Sequence, residues 1–175
     1  GERKRMIKTD NDCNISFHLR ARALIVADNH ILLAQRKGRQ MTYLPGGHIE
    51  LGEKAEECLL REINEELGYQ AKIKAFLGGL ESKYADNQKN HQELNLIFLV
   101  EIDNLDCSKE IQSLEPHLEF KWHPITALES ANLKPEPLIK FIKDYHQGDR
   151  RPWWGSAGFA RKLLKYRLTF FGNKS

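Results

Sequence analysis

The sequence predicts an α/β fold with a mixed β-sheet, and two observations carry that prediction. Segments with the patterns of strands and of helices alternate along most of the chain. Two early strand segments are joined by a short turn, which is the arrangement of a hairpin and makes them antiparallel neighbours. A sheet of parallel strands alone would need long crossover connections instead. Alternation together with hairpins therefore favours a mixed sheet packed against helices.

The first half of the chain contains two strands and a helix. Residues 17–27 alternate and then become apolar, and a turn at 28–30 leads into a second apolar strand, 31–36. From Glu53 to Leu67 neither Gly nor Pro occurs, and apolar residues recur every four positions. This pattern predicts an amphipathic helix that ends at Gly68.

The remaining elements continue the alternation. Four further segments have strand patterns, with a Pro-Gly-Gly turn interrupting the first: 44–53, 71–81, 93–102 and 119–125. The third of these is apolar enough to lie in the centre of a sheet. A second helix is predicted within 134–146, where proline suits the first helical turn.

We divide the chain into an N-terminal extension (1–14), one domain (15–147) and a C-terminal tail (148–175). At 41% hydrophobic residues, the chain can bury the core of a domain of ordinary size. The net charge of +3 comes from residues 150–175, which hold seven Lys or Arg and no Asp or Glu, and the remainder has 20 basic against 24 acidic residues. The basic balance therefore says little about the partners of the domain.

Composition excludes several classes of protein. No stretch approaches the roughly 18 consecutive apolar residues of a membrane span, and the charged N-terminus does not resemble a secretory signal. The three cysteines, Cys13, Cys58 and Cys107, are far apart and form no CxxC pair, and the seven histidines are scattered. This argues against a disulfide framework or a structural zinc site, and it predicts a reducing, cytoplasmic location.

A cluster of glutamates distinguishes the predicted helix. In the stretch REINEEL, residues 61–67, Glu62, Glu65 and Glu66 lie on one helix face, where like charges repel. Two interpretations are open: a solvated acidic face, or a site for a divalent cation whose charge removes the repulsion. No lysines neutralise the cluster, and a Gly-Gly turn that can approach a ligand closely precedes the helix. On the residues alone the two interpretations are balanced.

Residues 47–69 resemble the Nudix box, G-x5-E-x7-R-E-U-x-E-E-x-G-U, in which U is a bulky apolar residue. The fixed positions are matched by Gly47, Glu53, Arg61, Glu62, Ile63, Glu65, Glu66 and Gly68. Tyr69 departs from the aliphatic residue usual at the last position, where the side chain packs and does not react. With its flanking elements, the resemblance covers roughly residues 15–145.

The resemblance implies a Nudix-type α/β/α sandwich with a mixed sheet and a loop-helix-loop metal site. It implies a hydrolase that uses Mg2+, with Mn2+ as a substitute, to cleave the pyrophosphate bond of a nucleoside diphosphate linked to another moiety. The implied metal ligands are Glu62, Glu65 and Glu66, with the backbone carbonyl of Gly47 or Gly46 as an additional one. The alternative function is a catalytically silent nucleotide sensor or regulator, although in this family silence usually accompanies a broken glutamate set.

Catalytic roles also follow from the resemblance. One of the glutamates can double as the base, and Glu62 and Glu65 are the candidates. On a helical wheel Arg61 points away from the metal, so we interpret it as a salt-bridge partner that orients a carboxylate. Outside the box, Glu119 lies where many Nudix enzymes supply a further carboxylate, and Glu93 and Glu81 are rival candidates.

Substrate-binding residues are expected in the polar loops near the box. Arg36 and Lys83 are available for phosphates, and Tyr43 and Tyr84 for stacking on a base. These residues do not distinguish a sugar nucleotide from a nucleoside triphosphate. The expected partner is a small nucleotide-type molecule, and a homodimer is open.

The C-terminal tail lies beyond the resemblance, and we predict that it is helical from about Gly158. Three interpretations of this basic, aromatic-rich segment are open. We favour packing on the domain or on a second subunit, because apolar residues occur on nearly all its sides. Binding to an anionic membrane surface and binding to nucleic acid are the alternatives.

Overall fold

The structure, a computed structural model, describes residues 15–86 and 89–159. Helix α1 (Ala55–Leu67) and helix α2 (Pro137–His146) accompany nine strands in this part of the chain, and neither helix is long and apolar enough to cross a membrane. A 3₁₀ segment, Ile125–Ala131, precedes α2. The strands are β1 (Ile15–Leu24), β2 (Val26–Ala27), β3 (His30–Arg36), β4 (Thr42–Tyr43), β5 (Gly46–His48), β6 (Ala71–Asp86), β7 (Lys89–Ile102), β8 (Leu118–Pro124) and β9 (Trp153–Ala157).

The strands form two sheets. The larger has the order β5-β1-β7-β6-β9, and the smaller contains β2, β3, β4 and β8. In the larger sheet, β1 is parallel to β7 and β6 is parallel to β9, whereas the other neighbours are antiparallel. The predicted mixed sheet is therefore confirmed. The predicted hairpin is confirmed for β2 and β3, but β1 belongs to the other sheet.

Strand β1 sends alternate residues into two hydrophobic clusters. Ala21 and Ala23 pack in the cluster that contains Ile63 of α1. Leu24, which faces the opposite way, packs in the cluster that contains Phe141 of α2. The two helices thus cover opposite faces of the larger sheet, which is the predicted α/β/α sandwich.

Helix α1 has defined chemistry at both ends. The backbone N–H of Lys54 donates to the carboxylate of Glu57 at 3.2 Å, which satisfies a donor at the helix start. At the other end Gly68 has φ of 73°, a left-handed conformation that favours glycine, and its N–H donates to the carbonyl of Asn64. The predicted helix end is confirmed, whereas the helix begins two residues after Glu53.

Part of the C-terminal tail belongs to the larger sheet. Strand β9 pairs with β6, and the ring of Trp153 stacks on Phe141 with centroids 4.4 Å apart. The sheet therefore extends past residue 147, where we ended the domain on sequence grounds, and the packing favoured for the basic, aromatic part of the tail stays a prediction. The helix predicted from about Gly158 falls largely on residues 160–175, outside the described residues.

If β9 secures α2 to the sheet, Trp153→Ala should lower the free energy of unfolding by about 2–3 kcal/mol, less than a fully buried tryptophan would lose. Trp154→Ala is the matched control, because this neighbour is 59% exposed and should cost less than about 1 kcal/mol. Urea denaturation followed by far-UV circular dichroism measures both. Equal losses for the two variants would contradict the role of the Trp153–Phe141 contact.

Candidate functional site

The candidate site lies where the β5–α1 loop meets the glutamate face of α1. A Cβ atom at Gly47 would lie 2.2 Å from Oε1 of Glu62, so only glycine allows the backbone this close to the carboxylate. Cys58 is fully buried and its Sγ donates to the carbonyl of His48 at 3.2 Å. Burial raises the pKa of the Cys58 thiol to about 11. Cys58 therefore packs beneath the loop and is not a thiolate near neutral pH.

Arg61 binds three carboxylates. Its Nε donates to Glu53 at 2.7 Å, and its Nη1 donates to Glu62 at 3.0 Å and to Glu65 at 3.1 Å. These hydrogen bonds hold the pKa of Glu53 at about 2. The expected salt bridge to a carboxylate is present. The expectation that Arg61 points away from the metal-binding face is wrong, because its long side chain bends back among the carboxylates.

Glu66 has a different environment from the other glutamates. Its Oε2 atom is shielded from solvent and has no hydrogen-bond partner among the described residues. Burial, followed by the charge of Glu62, raises the pKa of Glu66 to about 8, and Arg22 acts in the opposite direction. A shielded carboxylate without a partner is stable only if it holds a proton or meets a cation. Glu66 is therefore the glutamate whose environment favours a cation most.

In the described ranges, no group of three carboxylate, histidine or cysteine side chains is arranged to hold a metal ion as it stands. Arg61 gives the physical reason, since its guanidinium draws the carboxylates of Glu62 and Glu65 towards itself. The positive charge of Arg61 thus stabilises these carboxylates where they are.

A further carboxylate, which the sequence analysis missed, comes from the loop before β8. The N–H of Leu114 donates to the carbonyl of Glu66 at 2.7 Å, which fixes this loop on the last turn of α1. The charge of the next residue, Glu115, contributes to the raised pKa of Glu66. A loop has no periodicity from which this proximity could be predicted.

The structure does not bring Glu119 to the glutamate cluster. Glu119 lies on β8, and Lys121 forms an ion pair with it at 2.8 Å and lowers its pKa. Its neighbour Phe120 packs in the cluster with α1, so Glu119 projects from the other side of the strand. None of the described hydrogen bonds or ion pairs joins Glu119 to the glutamates of α1, and its catalytic role stays a prediction.

A second group of polar side chains lies on the sheet face that α2 covers farther along. We call it the polar cluster, and its members are Arg20, Arg22, Ser82, Tyr84, Glu93 and Asn95. Glu93 is buried at its centre and accepts hydrogen bonds from Tyr84 at 3.2 Å and from Asn95 at 3.3 Å. Arg20 forms an ion pair with Glu93 at 3.0 Å. Glu93 therefore contacts Tyr84, Asn95 and Arg20 among the described residues, and not the α1 glutamates.

Arg22 connects the polar cluster with the glutamates. Its guanidinium donates to Oδ1 of Asn95 at 3.2 Å and to the carbonyls of Leu44 and Gly46 at 3.1 and 3.2 Å. Burial lowers the pKa of Arg22 to about 10, so it remains charged near neutral pH. This charge in turn lowers the pKa of Glu66. One side chain therefore contacts both the loop before the Nudix box and the polar cluster.

Three histidines extend the polar cluster in a hydrogen-bonded row. The ring nitrogens of His18 lie 3.0 Å from His48 and 2.9 Å from His91, and His91 lies 2.7 Å from a carboxylate oxygen of Asp86. The ring of Tyr84 stacks on His91 with centroids 4.9 Å apart. These histidines are scattered in sequence and meet only because three strands bring them together.

The four expected substrate-binding residues are not all brought together. Tyr43 lies near Arg22, 5.3 Å from ring centroid to guanidinium, and burial raises its pKa against the charges of Arg22 and Arg36. Tyr84 lies in the polar cluster. Lys83 precedes Tyr84 on β6 and therefore projects from the opposite face of the sheet.

Comparisons with known proteins agree with this architecture. The NUDIX domain family model matches residues 17–145. An ADP-ribose pyrophosphatase of Methanocaldococcus jannaschii is 31% identical over 125 residues, which are 70% of this chain and 69% of the relative. Nucleoside triphosphatase NudI of Escherichia coli (strain SE11) is 33% identical over 104 residues, which are 56% of this chain and 64% of that protein.

Solved structures share the fold. A UDP-X diphosphatase superposes with a TM-score of 0.58 at 24% identity, over 80% of this chain and 67% of that one. A MutT NUDIX hydrolase from Burkholderia pseudomallei gives 0.52 at 25% identity, over 63% and 85% of the two chains. The family match over most of the chain, the relatives and the complete Nudix box lead to one conclusion: this chain belongs to the Nudix family of hydrolases.

Proposed function

We propose that the protein is a Mg2+-dependent pyrophosphohydrolase acting on a nucleoside diphosphate linked to another moiety. The observation that carries this proposal is the complete set of Glu62, Glu65 and Glu66 on α1, with Arg61 paired to Glu62 and Glu65 and Gly47 packed against Glu62. The names of the two relatives, an ADP-ribose pyrophosphatase and a nucleoside triphosphatase, support a nucleotide with a phosphoanhydride bond. A cytoplasmic location and a homodimer stay predictions.

The side chains present fit a divalent cation. Oε2 of Glu66 is shielded and has no hydrogen-bond partner in residues 15–86 and 89–159, and Gly47 leaves room for the Glu62 carboxylate beside the backbone. Carboxylate and carbonyl oxygens are the ligands that Mg2+ prefers. The proposed ligands are therefore Glu62, Glu65, Glu66 and the Gly47 carbonyl. When bound, such a cation neutralises phosphate oxygens and lowers the pKa of a water molecule.

The neighbouring side chains determine the charge of the carboxylates that a substrate approaches. Arg61 keeps Glu53 ionised and orients Glu62 by a 3.0 Å hydrogen bond. Without a cation, Glu66 holds a proton near neutral pH, because its pKa is about 8, and it gives up this proton when a cation binds. The charge of Glu115 acts on Glu66, while its carboxylate lies 3.6 Å from His117, and we propose Glu115 ahead of Glu119 as a base outside the box.

The reaction itself is tested with a substrate panel. With Mg2+ or Mn2+ at mildly alkaline pH, we expect release of a nucleoside monophosphate from at least one of several compounds: nucleoside triphosphates, ADP-ribose, sugar nucleotides, dinucleoside polyphosphates, NADH and CoA. Chromatography of the products measures it, with EDTA as the control. Folded protein that is silent across this panel with metal present would favour a nucleotide sensor instead.

The raised pKa of Glu66 predicts a pH-dependent stability. In EDTA the unfolded carboxyl ionises near its ordinary value of 4.5, whereas the folded one keeps its proton to about pH 8, so wild-type stability falls as pH rises between these values. Glu66→Gln removes this loss, and its Tm should exceed that of wild type by more at pH 8 than at pH 5. Scanning fluorimetry measures the difference.

Glu56→Gln is the control for this experiment, because Glu56 is an exposed residue of the same helix. It should shift Tm equally at both pH values. Saturating Mg2+ should raise the Tm of wild type but not that of Glu66→Gln, which should also lose at least about 100-fold in kcat. A Tm difference between Glu66→Gln and wild type that does not change with pH would contradict the raised pKa.

Two substitutions decide between the carboxylates outside the box. Glu115→Gln should lower kcat by about 100-fold or more, the effect expected for loss of a general base, with little change in Mg2+ affinity. Glu119→Gln should lower kcat by less than about 3-fold, because its carboxylate pairs with Lys121 and makes no described contact with the α1 glutamates. Steady-state kinetics with a Mg2+ titration measures both. The reverse order of effects would restore Glu119 as the base.

A further inference from the structure

The polar cluster occupies part of the sheet where apolar side chains would be expected. Ser82, Glu93 and Asn95 are only 4%, 8% and 3% exposed. Farther along the same face, Leu80 and Ile97 pack in the apolar cluster with α2. Shielding polar groups costs free energy unless they are hydrogen-bonded. A cluster of this kind in one part of an otherwise apolar face therefore calls for a functional reason.

The hydrogen bonds of the polar cluster are incomplete. Within the described part of the chain Oγ of Ser82 makes no hydrogen bond, whereas Nε of Arg20 lies 3.0 Å from Glu93 in an ion pair. Folded proteins satisfy nearly all such shielded atoms. The side chain of Arg20 is 21% exposed, so a molecule that approaches the cluster can reach its guanidinium.

The polar cluster contacts strand β5, which carries Gly47 of the candidate site. Arg20 pairs across the sheet with His48, the residue after Gly47. Arg22 donates to the carbonyl of Gly46. Strand β5, whose Gly47 packs against Glu62, therefore lies between the α1 glutamates on one face of the sheet and the polar cluster on the other.

The charges of the cluster indicate the kind of group it accepts. Arg22 already donates to three acceptors, and the charge of Arg20 is balanced by Glu93. Burial, followed by the charge of Arg20, lowers the pKa of His18, so this ring adds no positive charge near neutral pH. A further phosphate would gain little here, because the negative charge of Glu93 opposes it. A neutral group with a hydrogen-bond donor beside an acceptor can use Arg20 and Glu93 together.

We propose that the polar cluster binds the neutral, hydrogen-bonding part of the substrate next to the pyrophosphate. Two sources supply this chemistry, a sugar diol and the edge of a base. The inference rests on the proposed function, and it makes Arg20 and Glu93 determinants of substrate specificity.

Binding measurements test whether the polar cluster binds the neutral part of the substrate, and they do not rely on turnover. Isothermal titration calorimetry in Ca2+ compares ADP, GDP, CDP and UDP with inorganic pyrophosphate, which shares the phosphates but lacks the neutral part. For the tightest nucleotide, Glu93→Gln should weaken binding at least tenfold, while pyrophosphate binding changes less than twofold. Glu101→Gln is the matched control on the same strand, because this residue is exposed and pairs with Lys74, and it should change neither.

Tyr84→Phe provides a second variant in case Glu93→Gln does not fold, which circular dichroism and thermal unfolding will reveal. It removes only the hydroxyl that donates to Glu93, and it should weaken nucleotide binding about threefold without affecting pyrophosphate. A 2′,3′-dideoxy form of the tightest nucleotide separates the two sources. If the dideoxy form no longer responds to the variants, the cluster binds the diol; if it still responds, the cluster binds the base.

The outcomes that overturn the inference differ from those that overturn the function. Equal weakening of nucleotide and pyrophosphate would mean that the cluster contacts phosphates, and unchanged nucleotide binding in both variants would mean that it contacts no ligand. Either result rejects the inference while the pyrophosphohydrolase activity stands. Wild-type protein that neither binds nor hydrolyses any of these compounds would reject the function and, with it, the inference.

Discussion

The repulsion between carboxylates on one face of α1 is the constraint on which the site depends. Two unit charges about 4 Å apart interact by about 4 kcal/mol at an effective dielectric constant of 20, so such a cluster does not form without compensation. Arg61 supplies it for Glu53, Glu62 and Glu65. One guanidinium does not suffice for a fourth carboxylate, and Glu66 instead keeps its proton up to a pKa of about 8. The site is thus stable without a cation, yet part of its repulsion is relieved only when one binds.

Strand β1 lies between the glutamate helix α1 on one face of the sheet and the polar cluster on the other. On one face, the small side chains of Ala21 and Ala23 allow α1 to lie close to the sheet. On the other face, Arg20 and Arg22 alternate with these alanines. The short strand β5 pairs with β1 at the same level and carries the Gly46–His48 segment. A single strand therefore positions helix α1, strand β5 and the polar cluster relative to one another.

Features encoded locally were predictable from the sequence. The helix and its end follow from a four-residue apolar repeat and a glycine, and the Nudix box selects the glutamates by spacing alone. The parallel pairing of β1 with β7 depends on contacts between distant parts of the chain, which no local pattern encodes. Arg61 was misplaced for a different reason: a helical wheel gives the direction of Cβ, whereas a long side chain can place its charge elsewhere. The alternation of His18, Arg20 and Arg22 was visible, but their partners on β6 and β7 were not.

The hydrogen bonds of Arg22 connect the two sides of the site. Its guanidinium contacts the carbonyls of Leu44 and Gly46 and the side chain of Asn95, and Asn95 in turn donates to Glu93. A planar guanidinium offers donors in fixed directions, which a lysine ammonium does not. The position of the loop before Gly47 is therefore fixed by the same side chain that orders the polar cluster. A group that binds Glu93 acts on a hydrogen-bonded structure that reaches the backbone of Leu44 and Gly46. Recognition of a substrate and positioning of its phosphates are then physically connected.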